Sequence, residues 1–278
     1  MRIQTQRLFS FTLAALLGAA GSAAQAQIKV PLSNPSRPVT LEVKIGMGDV
    51  HVKAYDGKEV LVAAGDDDNG FNRDNDDDRN GHEREGLHRI PNTSAGLTVE
   101  ENDNVVTVST DFSRHHSDLT ISVPRQTSVH AKTMGGNGDL TVTGVTGEHE
   151  LSNINGDVRA TDISGTIVAA TNNGDIDVSM TAITAGKALS FSSFNGDIEV
   201  TLPATVKADV VVTSSQGDVW TDFDVTMQSQ PPVVENENGG GGRYRVRMQR
   251  EMRGTIGGGG PELRFKTFNG DITLRKRK

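Results

Sequence analysis

Asn155-Gly156-Asp157-Val158-Arg159-Ala160 is answered eighteen residues later by Asn173-Gly174-Asp175-Ile176-Asp177-Val178, and this pair decides how the chain is read. In each copy the residues one and three places after the corner aspartate are apolar, and the residue between them is polar. That is the period-two pattern of a strand with one dry and one wet face. The glycine supplies the backbone freedom of a tight corner, and Asn and Asp bond readily to nearby backbone N–H groups. Working outward, Gly-Asp followed by an apolar residue recurs at Asp49, Asp139, Asp157, Asp175, Asp197, Asp218 and Asp271. From Asp139 to Asp218 the intervals are 18, 18, 22 and 21 residues, a period that marks a stacked repeat.

The alternation predicts inward pairs at Val50/Val52, Leu140/Val142, Val158/Ala160, Ile176/Val178, Ile198/Val200 and Ile272/Leu274. A second strand before each corner points Ile167/Ala169, Leu189/Phe191, Val210/Val212 and Leu263/Phe265 inward. The copy at Asp218 departs, with Trp220 outward and Thr221 at the inward position. The corners Asn155-Gly156-Asp157, Asn173-Gly174-Asp175, Asn195-Gly196-Asp197 and Asn269-Gly270-Asp271 also carry the Asn-Gly hairpin signal. A meander of hairpins would close with a shorter local period than about twenty residues. The expected fold is therefore all-β, a single-domain parallel β-solenoid with coils of about 18–22 residues, its asparagines stacked as an amide ladder. The segments near Asp49 and Asp271 are candidate end caps, since open strand edges need covering.

Composition agrees with a narrow aliphatic interior. Only 4% of the 278 residues are aromatic, and 31 are glycine. The absence of cysteine excludes a disulfide framework, a thiolate metal site and a cysteine nucleophile. Residues 1–26 have the parts of a secretory signal: Arg2 and Arg7, an apolar stretch from Leu8, and the small-residue pattern Ala24-Gln25-Ala26. Cleavage after Ala26 leaves residues 27–278 as the repeat domain. Removing two arginines from 28 Lys+Arg leaves 26 against 36 Asp+Glu, a balance of −10 that argues against nucleic-acid binding. The mature chain offers no membrane-spanning segment, so the expectation is export to the periplasm or the cell surface.

The run Asp118-Leu119-Thr120-Ile121-Ser122-Val123-Pro124, then Val129-His130-Ala131-Lys132-Thr133 and the Asn-Gly-Asp coils, resembles the exported bacterial β-strand-repeat family described as putative adhesins. Gly254-Thr255-Ile256-Gly257-Gly258-Gly259-Gly260-Pro261, leading to Thr267-Phe268-Asn269-Gly270-Asp271, carries the same resemblance. It implies a parallel β-solenoid without known catalytic residues.

Candidate chemistry is sparse. Trp220, an outward indole, is a candidate platform for a sugar ring or a partner side chain. Asp177 and Glu199 would lie on adjacent coils, where a carboxylate pair suits either polar binding or glycoside cleavage. No Gly-x-Ser-x-Gly, His-Glu-x-x-His or phosphate-loop motif is present. The corner Asn-Gly-Asp residues are read as structural turn residues. Asp76-Asp77-Asp78-Arg79-Asn80-Gly81 matches the first half of a calcium loop, but Leu87 stands where the bidentate glutamate belongs. It falls in the acidic insertion 66–89, read as a solvated loop. His82, His88, His115 and His116 are read as surface residues, so no metal or other cofactor is expected. Glycine runs at 239–242 and 257–260 flank the basic alternation Arg243, Arg245 and Arg247. With Arg250, Arg253 and Arg275-Lys276-Arg277-Lys278, it forms a basic region suited to anionic envelope polymers. The functional expectation is a non-enzymatic, adhesin-like envelope module binding glycan or protein; the alternatives are a polysaccharide-active enzyme and a purely structural envelope component.

Overall fold

The computed structural model describes residues 27–65, 96–110, 117–135, 137–228 and 251–278. The expected leader 1–26, the acidic insertion 66–89, all four histidines named above, the glycine run 239–242 and the arginines from 243 to 250 lie outside the described residues.

The described residues form strands and no helix. In chain order these are β1 (Gln27–Pro31), β2 (Val39–Ile45), β3 (Val50–Tyr55), β4 (Glu59–Gly65), β5 (Leu97–Asn102), β6 (Val105–Thr110) and β7 (Asp118–Pro124). There follow β8 (Thr127–Thr133), β9 (Leu140–Thr143), β10 (Thr146–Ser152), β11 (Val158–Asn173), β12 (Ile176–Ile183), β13 (Leu189–Asn195) and β14 (Ile198–Pro203). The last are β15 (Ala208–Gln216), β16 (Val219–Thr221), β17 (Val225–Gln228), β18 (Glu251–Ile256), β19 (Glu262–Asn269) and β20 (Ile272–Arg277). The long strand β11 supplies both a post-corner and a pre-corner segment.

Two stacks of parallel strands meet along the aspartate corners. Post-corner strands pair in the order β7, β3, β9, the start of β11, β12, β14, β20, β16. Pre-corner strands pair in the order β6, β2, β8, β10, the end of β11, β13, β19, β15. Equivalent residues stand in register, for example Val158↔Ile176, Ile176↔Ile198 and Ile198↔Ile272. Every predicted inward pair is buried, and Phe191 stacks on Phe265 within the core at 5.1 Å between ring centroids. Full burial of each such aliphatic side chain contributes about 1.5–3 kcal/mol, repeated rung after rung along one continuous core.

Two expectations need correction. The stack is not purely parallel: β1–β4, β4–β7, β5–β6, β15–β18 and β17–β18 are antiparallel. They cover both strands of one terminal rung, β6 and β7, and one strand of the other, β15, where parallel repetition would leave free edges. The segments at Asp49 and Asp271 are also not caps. The rung of β2 and β3 sits between that of β6 and β7 and that of β8 and β9. Likewise the final rung, β19 and β20, is inserted between the rung of β13 and β14 and that of β15 and β16. Both terminal segments are thus interior rungs.

Candidate functional site

The corner is built by three parallel columns of side chains. In the first, the Asp139 N–H donates to Asp49 Oδ1 at 2.7 Å, Asp157 to Asp139 at 2.9 Å, Asp175 to Asp157 at 2.8 Å and Asp197 to Asp175 at 2.8 Å. Asp271 donates to Asp197 at 2.8 Å and Asp218 to Asp271 at 2.7 Å, and the Asp49 N–H donates to Asp118 at 2.8 Å. Each bond crosses from one rung to the next, so one carboxylate oxygen of every aspartate in the column but Asp218 is committed to the backbone. In the second column, Asn173 Nδ2 donates to Asn155 Oδ1 at 2.8 Å, Asn195 to Asn173 at 2.8 Å and Asn269 to Asn195 at 2.7 Å. Gly156, at φ 133°, lies so close to the Gly138 carbonyl that a Cβ would collide with it.

The third column escapes a reading that follows apolar residues. Asn153, Thr171, Ser193, Ser214 and Thr267 are buried polar residues, each three places before the corner glycine. Asn153 Nδ2 donates to the Gly138 carbonyl at 2.8 Å, and Thr171, Ser193 and Thr267 donate to Gly156, Gly174 and Gly196 carbonyls at 3.0, 3.0 and 3.2 Å. These bonds satisfy carbonyls that the corner turns away from the sheet ladder. The recurring polar residue at that offset was the available signal. Asp118 was hidden because Ser117 stands where the other corners have glycine.

Trp220, Asp177 and Glu199 share one outward column. Asp177 is in register with Glu199, Glu199 with Thr273, and Thr273 with Trp220. At about 4.7–4.9 Å per rung, the indole stands roughly 10 Å along the stack from Glu199, and it is 58% exposed. Arg159, the residue in register with Asp177 on the other side, donates to Asp139 at 2.8 Å. Arg275 Nε lies 2.6 Å from Glu199 Oε1. Burial pushes the Asp177 carboxyl above its ordinary value, the Glu199 charge adds to this, and Arg159 opposes it. The column thus runs from Arg159 through two adjacent carboxylates and a threonine to an exposed aromatic.

Elsewhere Phe194 and Phe268, 51% and 42% exposed, stack at 5.0 Å with a 4° angle between ring planes. The basic C-terminus is partly neutralised: besides Arg275, Lys276 lies 3.8 Å from Asp224 and Arg277 2.6 Å from Asp162. The glycine run 257–260 forms the turn from β18 to β19, closed by Gly259 N–H to Ile256 O at 3.1 Å. Among the described residues no group of three His, Asp or Glu side chains is disposed to hold a metal ion. No helix among them is long and apolar enough to cross a membrane.

The Toastrack DUF4097 family model matches residues 11–275, a span that includes the described corners and nearly all of both strand stacks. The chain belongs to the Toastrack DUF4097 family. Comparison with curated proteins gives no match. Among solved structures, this Toastrack chain is similar to a putative cell adhesion protein from Clostridium sporogenes ATCC 15579, at 11% identity and a TM-score of 0.42. That likeness covers 91% of this chain and 99% of the other. It is also similar to a putative adhesin from Bacteroides fragilis NCTC 9343, at 15% identity and a TM-score of 0.37, over 92% of this chain and 98% of that one.

Proposed function

We propose that residues 27–278 form one exported, non-enzymatic β-solenoid domain that acts as an adhesin-like cell-envelope module, released from its leader after Ala26 and retained in the periplasm or at the surface. Its working surface is the outward column Asp177, Glu199 and Trp220, and its partners are glycan chains or envelope proteins. The observation that carries this reading is the exposed Trp220 indole in register with two carboxylates. A flat strand face with an aromatic anchor and charged neighbours suits an extended ligand bound by many shallow contacts.

The test is a binding screen of the mature protein against envelope glycans and envelope proteins, repeated with Trp220→Ala. Loss of binding with an unchanged melting temperature supports the reading; unchanged binding with reduced melting temperature makes Trp220 a packing residue and overturns it. Fractionation of producing cells tests the export.

A second reading, a polysaccharide-active enzyme, has one observation in its favour. Asp177 and Glu199 are adjacent carboxylates, and Asp177 holds its proton above the usual range, as a general acid must. The Arg275 contact on Glu199 favours the binding role instead. Glycan turnover abolished by Asp177→Asn without unfolding would reverse that preference.

A further inference from the structure

Insertion of the last rung leaves a gap on the side of the stack opposite the aspartate corners. Residues 184–188 link β12 to β13, a step of one rung, whereas residues 204–207 link β14 to β15 across the place that β19 occupies. Between these links the post-corner sheet parts. β12 and β14 are paired only as far as Ser179↔Thr201. β12 nevertheless continues to Ile183, and there it pairs with β11 alone, through Ile163↔Met180, Ser164↔Ala182 and Gly165↔Ile183. The opposite edge of this part of β12 has no strand partner among the described residues. The lip facing it ends in Pro203, which has no N–H to offer.

The parted strands bound a groove of about 430 Å³, a size typical of ligand sites. Ile183, Val206 and Leu263 give it apolar walls, and Thr184 and Thr205 add hydroxyls. Among the described residues Lys207 is its one charged lining residue, and no carboxylate lines it. Lys207 forms no ion pair among the described residues.

We propose that this groove receives an extended peptide segment of a partner protein, added as a strand to the free edge of β12 at Thr181–Ile183, with small apolar side chains in the groove and an acidic side chain on Lys207. The open edge presents backbone donors and acceptors at strand spacing, which an extended peptide matches along its length. The apolar walls take its inward side chains, and a lone ammonium without a counter-ion selects one carboxylate. No aromatic face lines the groove to orient a sugar, and a single cation is too little for an anionic lipid surface. The site lies at the far end of the post-corner strands from Trp220 and goes beyond the glycan or protein reading of that column.

The probe is a labelled, N-acetylated and C-amidated pentapeptide, Val-Thr-Val-Glu-Val, titrated by fluorescence anisotropy into the mature full-length protein. Saturable binding is expected, weakened about tenfold by Lys207→Glu and restored in that variant by a peptide carrying Lys in place of Glu. An N-methylated peptide, unable to pair with the strand edge, should not bind. Val206→Asp provides a second loss of binding without altering a strand edge, with a melting curve to confirm folding. Trp220→Ala should leave peptide binding unchanged, which separates failure here from failure of the proposed working surface. No saturation up to about 1 mM, or equal binding of the N-methylated peptide, overturns the proposal.

Discussion

The two ends of the stack are made from the same kind of rung and are finished differently. At the N-terminal end both sheets continue past the last rung: β4 and then β1 extend beyond β7, and β5 extends beyond β6. Val60, Val62, Val106 and Val108 are fully buried there. Glu101 ties the end together, accepting from Ser33 N–H at 2.9 Å, from Asn104 N–H at 3.0 Å and from the Ser33 hydroxyl at 3.0 Å. At the C-terminal end, among the described residues, only one sheet continues, through β18 and β17. Among the described residues β16 pairs with β20 alone, Val219 is 37% exposed, and a void of about 170 Å³ opens among Val210, Val212, Val219, Met227 and Phe265. Burial of a terminal rung therefore depends on whether both of its strands are covered, more than on the apolar character of its residues.

The sharpest way to break this comparison is a matched pair of truncations. Leu119→Ala in β7, fully buried beneath the N-terminal cover, should lower stability by about 2–5 kcal/mol in denaturant unfolding. Val219→Ala, at the equivalent position in β16, should cost less than about 1 kcal/mol because the site is already open. Equal costs would mean that the open end is closed in solution.

Between the ends lies a titratable weak point. His149 occupies a core column beside Val129 and Ile167. Burial lowers its pKa to about 4, nearby His130 adds to this, and the Ser164 carbonyl, 3.3 Å from Nε2, opposes it. Its Nδ1 has no hydrogen-bond partner among the described residues. Because the folded value is lowered, His149 is neutral in the native state while the unfolded chain takes up a proton. Its contribution to stability is intact above pH 6.5 and is lost as pH falls toward about 4. The loss should be about 3 kcal/mol and should disappear from the pH–stability profile of His149→Leu. A persistent slope in that variant would place the acid-sensitive group elsewhere.

Asn195→Ala removes a link from the middle of the amide column, breaking its bonds to Asn173 and Asn269. Because these amides are exposed, chemical denaturation should register only about 0.5–1.5 kcal/mol. The smallest effect belongs to Glu101→Gln. Burial opposes ionisation of Glu101, but the bonds from Ser33 and Asn104 together lower its pKa. Its contribution is therefore present above about pH 4.5 and is lost as pH falls through the folded value. The substitution should lower the melting temperature slightly at neutral pH, by less than about 1 kcal/mol in stability for so exposed a group, and leave it unchanged in strong acid. A larger neutral effect would make the Glu101 tie, rather than strand coverage, the principal difference between the ends.

The corners and inward columns were legible because their causes are local. Gly-Asp, the apolar residues after it and the paired Asn all act within a few residues of one another. The order of the rungs was not legible, because each rung presents nearly the same hydrogen-bonding edge to its neighbours. Ile198 is as well matched to Ile272 as to Ile176, so periodicity says how rungs fit and not which rungs meet. Trp220, Asp177 and Glu199 could each be assigned an outward face from alternation. That they share one column depends on the inserted position of Thr273, which no local pattern reveals. The groove beside Lys207 is hidden for the same reason, since it arises from the two-rung step.

The inserted final rung changes what a premature stop would do. In an ordinary linear array, losing the last repeat exposes one new end and spares the rest. Here, loss of residues 262–278 would remove β19 and β20 from inside the stack and leave β15 and β16 without their parallel neighbours. Residues 262–278 therefore act as a keystone, and a chain lacking them alone is still an unfinished one.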